Sequence, residues 1–152
     1  MNIQLVRTDS KHPEFMCLVQ QLDAYLAVKD GDEHSFYNQF NCIEHLNHVV
    51  LVINDQTAVA CGAFKQYDSQ TVEIKRMFTA TAARNQGIAG IVLNELENWA
   101  SHLGFKKVQL ETGQRQTEAL SFYQKCGYNK IPCYGPYKDM ENSVCFGKEF
   151  KS

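Results

Sequence analysis

Arg84-Asn85-Gln86-Gly87-Ile88-Ala89-Gly90 decides how this chain is read, because a strongly amphipathic helical pattern follows it at once. The first backbone N–H groups of a helix lack intrahelical partners and sit at the positive end of its dipole. A glycine-bearing turn that opens a helix is therefore a ready site for phosphate. Gly87 and Gly90 carry no side chain to keep a pyrophosphate off that backbone, and Arg84 adds a planar, permanently charged fork. The two commonest phosphate signatures do not fit. Gly87 is followed by Ile88 and Ala89, not by Lys and Ser or Thr as a P-loop requires, and the glycines are too few for the dinucleotide fingerprint. Taken alone, the turn serves equally as a plain helix start or a phosphate cradle.

Working outward, residues 71–78 (Thr71-Val72-Glu73-Ile74-Lys75-Arg76-Met77-Phe78) have the branched and aromatic content of a strand, with Val72 and Ile74 on its apolar side and Met77 a candidate for the same side. Strict alternation puts Glu73, Lys75 and Met77 on one face and Ile74 and Arg76 on the other. After the turn, Ile88, Val92, Leu96, Trp99 and Leu103 recur every three or four residues. Ala89, Leu93 and Ala100 widen that face, and Gly104 is a natural helix stop. Residues 107–112 then read as a second strand, completing a strand–helix–strand unit with an anion site at its turn.

The remainder predicts an α+β order: a strand over 3–7, then a helix capped by Ser10 or Asp9 with Pro13 in its first turn. Its buried stripe is Phe15, Leu18, Val19, Leu22, Tyr25 and Leu26. A polar break over 29–33 follows, then a second helical piece from 34 towards 43. Strands over 48–54 and 58–67 are joined by the tight turn Asn54-Asp55-Gln56-Thr57, and a last strand spans 143–148. A central twisted mixed sheet with helices on both faces accommodates this order in one domain, residues 1–152. A net charge of −2 offers no broad basic surface, so nucleic acid is not an expected partner. No run of eighteen apolar residues or leader pattern occurs, since Asn2, Gln4, Arg7 and Asp9 interrupt the start; a cytoplasmic chain without a membrane partner is expected. The six cysteines (Cys17, Cys42, Cys61, Cys126, Cys133 and Cys145) include no Cys-x-x-Cys pair, which argues against zinc. Buried reduced thiols are the expectation.

Arg84-x-x-Gly87-x-Ala89 resembles the Arg/Gln-x-x-Gly-x-Gly/Ala signature of the GNAT family of N-acetyltransferases. Residues 73–78 resemble that family's fourth strand and Leu110-Glu111-Thr112-Gly113 its fifth. The run from Ala119 to Tyr128, with Phe122-Tyr123 and Gly127-Tyr128, resembles the helix carrying its catalytic tyrosine. The resemblance implies a mixed sheet of about six to seven strands flanked by about four helices. It also implies acetyl-CoA as co-substrate and no metal. The loop Arg84, Asn85, Gln86, Gly87, Ile88, Ala89 and Gly90 would hold the pyrophosphate, with Ala89 standing where glycine is commoner. The backbone of Met77 and Phe78 would bulge and bind the pantetheine arm, and one of their N–H groups would polarise the thioester carbonyl. Lys125 is placed near the adenosine phosphates, or is simply a solvated helix lysine.

The implied reaction is direct attack of a primary amine on the thioester. Tyr123 is the expected proton donor to the thiolate, against the alternative of a core tyrosine. Glu73 is the leading base, directly or through a water; its alternative is a solvated charge paired with Lys75 or Arg76. Glu111 competes as base or as a partner for the acceptor's ammonium. Acceptor-side candidates are Tyr25, Glu111, Gln114, Tyr134 and Tyr137, with Asp30, Asp32, Glu33 and Tyr37 nearby in the pattern and Arg115 beside Gln114. Asp30-Gly31-Asp32-Glu33 reads more simply as a solvated loop. Glu111-Thr112-Gly113 with Tyr134-Gly135-Pro136-Tyr137 resembles a bacterial subgroup of small-molecule acetyltransferases, so a small-molecule amine (an amino acid, a polyamine or another metabolite) is expected. A peptide or protein amine, a non-catalytic acyl-CoA sensor, a chance nucleotide-phosphate binder and a homodimer stay open.

Overall fold

A computed structural model describes residues 2–33 and 46–150, with Asp32 described only in its backbone. The predicted helical piece over 34–43, with Tyr37 and Cys42, lies outside the described residues, as does the side chain of Asp32. The elements run β1 (Ile3–Thr8), α1 (Pro13–Asp30), β2 (His48–Asn54), β3 (Thr57–Gln66), β4 (Thr71–Thr79), α2 (Ile88–His102), β5 (Lys107–Gly113), α3 (Thr117–Lys125), β6 (Asn129–Ile131) and β7 (Ser143–Glu149). They build one seven-stranded sheet in the order β1-β2-β3-β4-β5-β7-β6. Every neighbouring pair is antiparallel except β4 and β5, which are parallel. None of the described helices is long and apolar enough to cross a membrane.

Two apolar clusters sandwich the sheet. On one face, α1 buries Phe15, Leu18, Val19 and Leu22 against Val49, Leu51, Cys61, Ala63 and Phe78. On the other, α2 packs Ile88, Val92, Leu93, Leu96 and Ala100 against Val50, Val52, Phe64, Val72 and Ile74, and Tyr123 of α3 joins them. Each fully buried side chain of this size contributes on the order of 1.5–3 kcal/mol, so the helices are held chiefly by these faces. The β2–β3 turn places Asp55 and Gln56 at φ of 50° and 73°, the left-handed pair that matches strand twist in a two-residue hairpin.

Several local expectations are corrected. Neither Ser10 nor Asp9 caps α1. His12 does, its Nδ1 accepting from the Glu14 N–H at 3.1 Å, while the Asp9 carboxylate is spent on the Lys11 N–H at 2.9 Å. Leu103 follows the last turn of α2 and is 51% exposed instead of extending the buried face. Asp30 is not a solvated loop residue but the buried end of α1, because the helix continues through it. Cys17 is exposed, lying off the Phe15–Leu18–Val19–Leu22 stripe. Nor are all the thiols reduced: Cys133 and Cys145 form a disulfide. The β6–β7 register sets Ile131 opposite Cys145, and two residues later the chain brings Cys133 to a Cα–Cα distance of 5.1 Å.

The correction of most consequence is in β4. Its alternation fails because the strand bulges: Ala63 pairs with Lys75 but Cys61 pairs with Phe78, so three steps on β4 answer two on β3. Arg76 takes φ of 59° at that point. Met77 therefore packs on the α2 side with Ile74, while Arg76 reaches Asp23 of α1. Gly62 sits opposite the bulge. A Cβ there would come within 2.5 Å of the Met77 sulfur, 2.8 Å of Val92 and 2.9 Å of Leu96. Gly62→Ala is thus expected to cost about 1–3 kcal/mol in urea unfolding. Gly90→Ala, whose added Cβ meets nothing within 4 Å, should leave stability equal or higher. An unchanged midpoint for Gly62→Ala would overturn the packing account of the bulge.

Candidate active site

The parallel pairing of β4 with β5 lasts only three residues, from Thr71–Lys107 to Glu73–Gln109. Beyond it β4 continues to Thr79 and β5 to Gly113 without pairing to each other, so the sheet opens into a wedge. On one side the wedge leads into a groove lined by Tyr25, Met77, Phe78, Arg84, Asn85, Gly87, Ile88, Ala89, Gly90 and Phe122. On the other it leads into a cleft lined by Leu22, Leu26, Asp30, Glu73, Lys75, Arg76, Glu111 and Tyr137. Leu22, Met77, Gln116, Ala119 and Tyr123 line both.

The groove is built as an anion site at its base. Gly87 precedes α2 with φ of 77°, a conformation that L side chains rarely adopt. Ile88 is fully buried and anchors the first turn, which aims the amides of that turn outward. Cβ atoms built on Gly87 and Gly90 meet no atom of the described residues within 4 Å beyond their own turn and chain neighbours, so the space before this backbone is open to a ligand. Arg84 is fixed at the rim: its Nε donates to the Thr79 carbonyl at 3.0 Å, and its guanidinium lies over the rings of Tyr25 and Phe78. The Gln86 side chain turns back towards Ala82 and does not line the groove, and exposed Lys125 does not line it either.

The cleft concentrates charge in a buried setting. Glu73 is 4% exposed; the Tyr134 hydroxyl donates to it at 3.0 Å, and Lys65 and Lys75 stand 3.7 and 3.9 Å away. Glu111 accepts from the Ser143 hydroxyl at 2.7 Å. Burial pushes the Glu111 carboxyl up to about 7, further helped by the charges of Asp30 and Glu73 and opposed by Ser143 and Lys75. Lys75 donates to the Tyr137 hydroxyl at 3.3 Å, and burial holds its ammonium below the ordinary lysine range. Tyr123 is wedged among Phe122, Tyr128 and Phe146, and burial raises its phenol, which keeps the proton on.

The expected acceptor residues divide. Glu111 and Tyr137 line the cleft, and Tyr134 reaches it through Glu73. Tyr25 belongs to the groove instead, because α1 carries it towards Arg84. Gln114 is exposed and faces a separate surface depression with Glu33 and Asp139. Arg115 is occupied structurally, donating to the last carbonyls of α1 at Lys29 and Asp30. Gln116, Ala119, Lys75, Arg76 and Ser143 were not singled out for the site. For the first two a signal existed: Gln116, Ala119 and Tyr123 fall three and four apart, on one helical face.

A family model described as "Acetyltransferase (GNAT) family" matches residues 15–128. An Azospirillum brasilense protein named "IAA acetyltransferase" is 28% identical over 138 residues, 90% of each chain. The sheet and helices superpose on a Klebsiella pneumoniae protein assigned as an acyl-CoA N-acyltransferase, with TM-score 0.81 at 24% identity and 97% of each chain covered. A GNAT acetyltransferase from Elizabethkingia anophelis, solved with acetyl-CoA bound, gives a TM-score of 0.73 at 21% identity over 98% of this chain and 99% of that one. The family match spans α1, the bulged strand, the glycine turn and the Tyr123 helix. On those grounds the chain belongs to the GNAT family and is an N-acetyltransferase.

Proposed function

We propose that the protein transfers an acetyl group from acetyl-CoA to the primary amine of a small molecule. One observation carries this reading: the groove from the α2 N-terminus and the charged cleft meet at Met77, Gln116, Ala119 and Tyr123. A thioester at the end of the groove therefore faces an amine in the cleft. The cleft's cavity volume of about 120 Å³ suits a small acceptor. Bound acetyl-CoA supplies the activated acyl group; the chain supplies the rest. The amides of Gly87 to Gly90 and the Arg84 guanidinium bind the pyrophosphate, and the Met77–Phe78 backbone at the bulge orients the arm. Glu111 takes the ammonium proton. Its carboxyl, pushed up to about 7 by burial, suits a base, whereas Glu73 is already held by Tyr134 and flanked by two lysines. As the carbon–sulfur bond breaks, Tyr123 gives its proton to the departing thiolate and regains one from the nitrogen that has become the amide; burial keeps the phenol protonated before that step without making it a stronger acid.

Calorimetry with acetyl-CoA, using ATP and NAD as controls, should show selective binding, and Gly90→Val should weaken it roughly tenfold or more without unfolding the protein. Retained affinity in that variant removes the turn from the site. Tyr123→Phe should lower kcat by about 10²-fold while acetyl-CoA affinity holds, as read by free-thiol release. Unchanged turnover would return Tyr123 to the core.

Glu111 also couples activity to stability. Its carboxyl binds its proton more tightly folded (about 7) than at the ordinary 4.5, so its penalty is absent below about 4.5 and grows as pH rises through about 7. Glu111→Gln should therefore be the more stable protein at pH 8, by up to about 3 kcal/mol, while losing turnover and the acidic limb near pH 7. An unaltered limb would pass the base role to Glu73 or to a water.

A further inference from the structure

One buried cation on the cleft wall is left over from the proposed reaction. The Arg76 side chain is 2% exposed. Its Nη2 donates to Asp23 of α1, but its Nε and Nη1 are buried with no hydrogen-bond partner among the described residues. A guanidinium cannot shed its charge, and buried donors left unpaired are costly, so a group in this state is retained where something else completes it. Asp23 does not do so: it is 41% exposed and engages one corner of the fork. The backbone adds a second sign of constraint, since Arg76 is a non-glycine residue held at φ of 59° on the wall of the cleft. Lys75 beside it is 8% exposed, and Glu111 and Asp30 line the same cleft.

We propose that Arg76, with Lys75 beside it, is the carboxylate-binding end of the acceptor cleft, so that the acceptor is a small amine carrying a carboxylate: a free amino acid. This rests on the acetyl-transfer reading above. The cleft then holds the complement of a zwitterion, with Glu111 and Asp30 for the ammonium and Arg76 and Lys75 for the carboxylate. A carboxylate on Arg76 would satisfy donors that the described residues leave unmet, beside an Arg76 charge that Asp23 engages at one corner only and a Lys75 charge that Glu73 already faces. A polyamine would add positive charge beside Arg76 and leave those donors unmet.

The test is acetyl transfer to matched acceptors, each amino acid of a panel against its own carboxamide, with acetyl-CoA binding measured in parallel. The expected result is a kcat/KM at least about tenfold higher for one or more amino acids than for the amide. Arg76→Gln should bring that ratio to near one through the KM of the amino acid, and Arg76→Lys should restore part of it. Equal or better use of the amides, or an equal loss for both acceptors in Arg76→Gln, overturns the assignment. If Arg76→Gln does not fold, product inhibition of the unaltered enzyme decides: the N-acetyl amino acid should inhibit and its amide should not, and equal inhibition overturns the proposal. Failure of every amine despite acetyl-CoA binding would sink the acetyl-transfer reading too, a result distinct from a preference for amides.

Discussion

The parting of β4 from β5 is the constraint on which the rest of this molecule depends. Parallel strands normally run on together, since each unpaired backbone group is costly. Here the pairing ends at Glu73 and Gln109, and the bulge at Arg76 turns β4 away. Gly62 makes that turn sterically permissible, because its missing side chain is the space into which Met77, Val92 and Leu96 pack. The consequences are functional. Backbone near Met77 is released from the sheet's own bonding pattern, and a wedge opens through the middle of a sheet that is otherwise continuous.

The same wedge explains the electrostatics. Glu73 and Glu111 lie on neighbouring strands, yet their surroundings differ. Glu73 is held by Tyr134 and flanked by Lys65 and Lys75, whereas Glu111 has Ser143 as its hydrogen-bond donor and lies within the influence of Asp30 and Glu73. Burial then pushes Glu111 to about 7. Two similar side chains are thus set apart by their neighbours, and the neighbours are placed by the β5–β7 register, which brings Ser143 opposite Gly113 and Cys145 opposite Glu111.

Much of this was legible in the chain. Periods of two and 3.6 gave the order strand, turn, helix, strand, and the Asp55–Gln56 hairpin followed from its turn residues. The glycine turn and the helix of Tyr123 were readable as motifs. What could not be read depended on partners distant in sequence. The bulge inverts the sides of Arg76 and Met77, and it is set by Gly62 and α2 packing. Arg115 and Gln114 offered suitable chemistry, but the end of α1 claims the first and solvent the second. Asp30 read as solvated because local polarity cannot reveal that a helix end is folded under a glycine of another strand.

The bond between Cys133 and Cys145 turns one wall of the cleft into a closed ring. Tyr134, Tyr137 and Ser143, which hold Glu73, Lys75 and Glu111, all ride on that ring. Closing a loop of this length removes about 3 kcal/mol of disorder from the open chain, so the side chains that steady the carboxylates arrive already positioned. Cutting the ring with a reductant does not touch a single reacting group, yet it returns that freedom to the unfolded chain. The support under the carboxylates is thereby tied to a covalent bond that carries no reacting group.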